Sequence, residues 1–125
     1  MKSHEAAVFE QLCSMPTVDA HEHLHAEEKR VGRPVDVFLL FHQYVRVDLI
    51  AAGMAADAAD DLANPDVPLD EKWESLAPYL DLVRDGSCVR PVFESLRFLF
   101  DADDLTADNY ESISQEMAER NRPGL

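Results

Sequence analysis

Three of the five histidines stand at alternate positions, His21, His23 and His25, with Asp19 two residues before the first. Imidazole and carboxylate groups hold divalent first-row ions, so the stretch TVDAHEHLHAEE, residues 17–28, is a candidate metal site. Two backbones would serve it. On a helix, residues 21–25 read as H-E-x-x-H, with His21 and His25 one turn apart on a zinc ion and Glu22 activating water. On a strand, Asp19, His21 and His23 point to one face, and residues two apart are separated by roughly 6.5 Å. Two imidazoles at that spacing can converge on one ion at nitrogen–metal distances of about 2.0–2.1 Å. Glu22 would then point away, Val18 and Ala20 would face the opposite side, and Asp19 would orient a ligand by hydrogen bonding.

The flanking residues favour the strand. Pro16 and the β-branched pair Thr17-Val18 oppose a helix through the site. Asp19 upstream and Glu27-Glu28 downstream deny such a helix the apolar flanks that would pack it. A strand over about 17–21 is therefore expected, with His21 and His23 as ligands of a divalent metal, zinc being the first choice. His25 falls outside both strand-ligand positions and reads as a loop residue.

The rest of the chain reads as helix. Ser3 can cap a helix to about residue 15, with Val8, Phe9 and Leu12 on one side, stopped by Pro16. After a charged loop ending at Gly32 and Pro34, Asp36 can cap a long helix to about residue 52. Its apolar positions are Phe38, Phe41, Val45, Leu49 and Ile50, and Gly53 ends it. A short Ala/Asp-rich helix precedes the break NPDVP, and further helices are expected over about 70–84, 90–100 and 106–121. A lone strand leaves its backbone donors and acceptors unpaired. The 125 residues are also too few for a complete α/β barrel, which needs about 250. The reading is that residues 1–125 are the front end of a larger protein. The apolar side chains Phe38, Phe41, Phe93, Phe98 and Phe100 should then await a partner.

With 25 acidic against 11 basic residues the net charge is −14, which repels nucleic acid and anionic lipid. Cys13 and Cys88 lack the spacing of a disulfide framework or zinc finger and read as buried or half-buried thiols of a reducing cytoplasm. The longest apolar run, residues 37–41, is far short of the roughly 20 needed to cross a bilayer. A small-molecule substrate and a homo-oligomer remain compatible with these totals.

TVDAHEHLH resembles the first strand of the amidohydrolase superfamily, whose D-x-H-x-H closes that strand of a (β/α)8 barrel. DVFLLFHQYVRVDLIAAGM, RPVFESLRFLF and LTADNYESI are similar to the helical insertion of its uronate isomerase-like branch. The resemblance implies an α/β fold: the N-terminal part of a (β/α)8 barrel, mostly helical here, with one metal-motif strand followed by a helical insertion over about 35–121. It implies His21 and His23 as metal ligands and Tyr44 as a substrate contact. His42 and Gln43 stand where that branch has Asp-His. The implied activity is metal-dependent hydrolysis of a small amide, ester or carboxylic acid, incomplete in these 125 residues because the remaining metal ligands and the proton-handling aspartate would come from later strands. Uronate isomerase-like aldose–ketose isomerisation is one alternative, and a non-catalytic helical interaction domain is another.

Overall fold

A computed structural model describes residues 3–18, 20 and 25–124. The described residues form seven α-helices and one 3-10 helix, with no strand. In order they are α1 (His4–Ser14), α2 (Glu27–Val31), the 3-10 helix Val37–Phe41, α3 (Tyr44–Ala51), α4 (Ala56–Asp61), α5 (Leu69–Val83), α6 (Arg90–Phe100) and α7 (Tyr110–Arg120).

This corrects the expected α/β class. Thr17, Val18 and Ala20 carry no regular structure, and Val18 is 91 % exposed, so no helix covers the face that a barrel strand would bury. The alternation that suggested a strand spans too few residues to outweigh the absence of a pairing edge. The helical insertion, in contrast, folds around a core of its own. Phe38 and Phe41 of the 3-10 helix, Leu49 of α3, Leu62, Leu76 of α5 and Leu96 of α6 are fully buried. Of the five phenylalanines expected to await a partner, only Phe98 is largely exposed. Phe38, Phe41 and Phe93 are buried and Phe100 is half-buried.

Local chemistry sets most of the helix ends. The Ser3 hydroxyl accepts from the Ala6 N–H at 3.3 Å and starts α1. Gly53, at φ +108, takes the conformation that ends the chain segment of α3. The Asn109 side chain accepts from Thr106 N at 2.7 Å and donates to Asp104 O at 2.8 Å, fixing the entry into α7. Asp101, in the left-handed region at φ 52, closes α6.

The core is tied by a few cross-chain contacts. Trp73 of α5 stacks on Tyr110 of α7, with centroids 5.4 Å apart, and Phe38 packs tilted on the same ring at 5.8 Å. Phe41 meets Phe93 of α6 edge-on at 6.4 Å. Ser114 Oγ accepts from Val37 N at 3.2 Å, joining α7 to the start of the 3-10 helix. Lys72, buried in α5, places Nζ 2.6 Å from Asp36 Oδ2, while Asp36 Oδ1 caps Phe38 N at 2.9 Å.

No side chain of α1 is buried. Val8, Phe9, Leu12 and Met15 lie between 53 % and 68 % exposed, and Cys13 is exposed rather than buried. Cys88 is half-buried, as its apolar neighbours suggest.

Candidate functional site

The expected long helix over 36–52 breaks in the middle. The 3-10 helix ends at Phe41, His42 caps it with its N–H on Leu39 O at 3.3 Å, and α3 starts at Tyr44. Between them Gln43 adopts φ 55 and ψ −113, a region that side chains other than glycine rarely enter. Neither glycine nor proline marks the joint. It is held by its neighbours: Phe41 and Val45, on either side, are both buried.

The joint separates two concavities. One, of about 410 Å³, is lined by Tyr44 with Leu39, Cys88, Pro91 and Val92. The other, of about 450 Å³, lies between the joint and the 25–35 segment, and His25, Arg30, Arg33, His42 and Gln43 face it. Leu39, His42 and Gln43 line both. His42 is half-buried, and its Nδ1 is fully buried with no hydrogen-bond partner among the described residues. A buried ring nitrogen left unpaired costs free energy, so this atom is unspent hydrogen-bonding capacity at the joint.

The outer wall is tied to the far end of the chain. Arg30 Nη1 donates to Asn121 Oδ1 at 2.9 Å and Nη2 to Arg122 O at 3.2 Å. Asn121 Nδ2 donates back to Arg33 O at 3.0 Å, and Gly124 N to Glu27 Oε1 at 2.7 Å. The short helix α2 thus gains from the segment that follows α7 the support that five residues alone would not give it. On the other side of the joint Arg46 of α3 grips Asp60 of α4, Nη2 lying 2.9 Å from Oδ2. That hydrogen bond holds the Asp60 carboxyl below the usual carboxylate range against the opposing effect of desolvation. The charges of Arg46 and then His42 add to the lowering.

Asp19, His21 and His23 lie outside the described residues, so the site assigned to them there has no described geometry. His25 is an exposed loop residue, as read from its position. Tyr44 is 66 % exposed at the first turn of α3 and faces the concavity opposite to that of His25. Sequence reasoning missed Arg33 and the strained joint. An arginine in a Gly-Arg-Pro loop carries no spacing signal, and its wall is completed by residues about 90 positions away.

Among the described residues no three metal-ligating side chains cluster. The donors that this part does offer, His25 and His42, are imidazoles on one cavity, which is donor chemistry that zinc accepts. Two imidazoles leave a site short of the three protein ligands usual for catalytic zinc.

No family model matches the chain, and neither the curated proteins nor the solved structures contain a match. Among the described residues, no helix is long and apolar enough to cross a membrane.

Proposed function

We propose that the chain serves metal-dependent hydrolysis of a small amide, ester or carboxylic acid. His21 and His23 would hold the ion, Asp19 would orient one of them, and Tyr44 would contact the substrate. The observation that carries this reading is the joint at His42-Gln43. Strained backbone and a buried unpaired imidazole nitrogen concentrate where two ligand-sized concavities meet, and such strain collects at functional sites. His25, two residues beyond His23 in sequence, lines one of these concavities, which supports an ion held by the upstream histidines serving it.

When bound, a divalent cation supplies Lewis acidity toward a carbonyl and toward water. The chain's own residues would do the rest. His42 offers a buried ring nitrogen, Nδ1, free to hydrogen-bond a substrate group. Gln43 offers an amide that hydrogen-bonds substrate without changing charge. The Tyr44 hydroxyl, on the opposite flank, orients a polar group of the substrate. Leu39, Pro34 and Val35 supply an apolar flank on the side of His25.

The test is metal stoichiometry joined to turnover. Wild-type protein should purify with about one zinc per chain, lose it in His21→Ala and His23→Ala, and hydrolyse 4-nitrophenyl acetate in proportion to bound metal. Protein that binds no zinc, and whose ester hydrolysis is the same with and without added zinc, would overturn the reading.

A second reading, a non-catalytic helical interaction domain, draws on α1. Its exposed Val8, Phe9, Leu12 and Met15 form an apolar face that none of the described helices covers. Metal-free protein with full affinity for a partner would favour it.

A further inference from the structure

We propose that the cavity between the 25–35 segment and the His42-Gln43 joint is an oxyanion pocket, with the Arg33 guanidinium as its anchor. The proposal deepens the hydrolytic reading only in one respect: the substrate of that reaction would carry a negative charge at the end held by Arg33.

Charge is the first argument. The chain has 25 acidic residues against 11 basic ones, yet no described acidic side chain lines this cavity. Arg30, Arg33, His25 and His42 do. Two arginines lining a cavity that no described carboxylate lines, in a protein of net charge −14, mark a local departure from the acidic surface that favours an anionic ligand.

Availability is the second. Arg46, Arg84, Arg97 and Arg120 are each neutralised by a carboxylate. Arg30 is engaged by Asn121, by Arg122 O and, at 3.9 Å, by Glu27. The Arg33 guanidinium makes no hydrogen bond or ion pair among the described residues. Its backbone is nonetheless held, because its carbonyl accepts from Asn121 Nδ2 at 3.0 Å and its N–H donates to Arg30 O at 3.3 Å. A fixed backbone carrying an unspent planar fork suits bidentate capture of a carboxylate or phosphate oxyanion.

Fit is the third. A volume of about 450 Å³ suits a small organic acid. The Gln43 amide and the two imidazoles add donors around an anion. The apolar flank of Pro34, Val35 and Leu39 would cover the carbon part of the ligand.

The experiment uses metal-free protein and titrates oxalate and inorganic phosphate by calorimetry at constant ionic strength. Wild type should bind one anion per chain saturably. Arg33→Gln should weaken binding by about tenfold or more, the loss expected for a charge-assisted hydrogen bond. Arg33→Lys should recover part of it, and Arg90→Gln, an exposed arginine outside the cavity, should change nothing. Tighter oxalate than phosphate assigns a carboxylate ligand and the reverse order a phosphate ester, both supporting the pocket. No saturable binding, or equal binding by wild type and Arg33→Gln, overturns it. Because the protein is metal-free, loss of the zinc result with anion binding intact sinks the hydrolytic reading alone, and the converse sinks the pocket alone.

Discussion

Lys72 Nζ lies 2.6 Å from Asp36 Oδ2, and the lysine side chain is almost wholly buried while the aspartate keeps partial access to solvent. The pair connects the middle of the fold to its site. Lys72 belongs to α5, and Asp36 caps the 3-10 helix that delivers His42 and Gln43 to the joint. Removing one member of a buried pair leaves the other without its compensating charge. Lys72→Ala should therefore lower stability by about 3 kcal/mol. Asp36→Asn, which keeps an oxygen for the Phe38 N–H, should also be destabilising, because it strands the ammonium. Urea midpoints for the two single variants and the double variant give the coupling. Effects that simply add would show that the two groups do not interact.

Phe41 and Phe98 set a second expectation, because the sequence reading placed both on a surface awaiting a partner and the fold separates them. Phe41 is fully buried against Phe93, whereas Phe98 is 88 % exposed. Phe41→Ala should cost about 3–5 kcal/mol through lost burial and a residual cavity. Phe98→Ala should stay within about 0.5 kcal/mol of wild type. Denaturant unfolding followed by far-ultraviolet circular dichroism checks both. Equal losses at the two positions would mean that this core is not the one that holds the chain together.

Tyr110 gives an alkaline signature. Burial pushes its phenol above the ordinary value, and the neighbouring Glu111 carboxylate pushes it the same way. In the unfolded chain the phenol ionises near about pH 10. Between that value and the raised native one, the native state holds more protons than the unfolded state, so stability falls as pH rises. Below the ordinary value the contribution is constant. The stability difference between wild type and Tyr110→Phe should be flat from about pH 7 to 9 and turn against wild type above about pH 10. Urea midpoints across that range, with parallel slopes for the two proteins throughout, would show that burial does not perturb this phenol.

Helices with strong local signals were legible in the sequence, and features made by tertiary contact were not. The Ser3 cap before α1, the bounds of α6 at Arg90 and Phe100, and the stop at Gly53 follow from capping and apolar period. The break at Gln43 could not be read, because Phe38, Phe41, Val45 and Leu49 keep helical spacing through it. The strand was misread because Thr17-Val18 carries β propensity that only a pairing edge could realise, and the described residues offer none. Of the candidate site, the sequence reading marks Tyr44 as a substrate contact, His25 as a loop residue and His42 only as a departure from the Asp-His of the resembling branch. Their division between two concavities depends on how the joint turns. Arg33 stayed hidden because Asn121, from the end of α7, is what fixes its wall.

The joint itself supplies the sharpest contrast between stability and function. Gln43 at φ 55 and ψ −113 pays a backbone cost of order 1–3 kcal/mol that a glycine would not. Against that gain, glycine adds about 0.5–1 kcal/mol of chain entropy to be lost on folding. Gln43→Gly should therefore leave the protein at least as stable, and up to about 2 kcal/mol more so. The same substitution deletes the amide that lines both concavities and frees the backbone that aims His42 and Tyr44. Ester hydrolysis by zinc-loaded protein and oxalate affinity of metal-free protein should both fall while the urea midpoint holds or rises. Gln43→Ala separates the two effects: it removes the amide but keeps the strain, so it should lose function without gaining stability. A Gln43→Gly protein that is less stable than Gln43→Ala would show that residue 43 is not held in the left-handed half of backbone space.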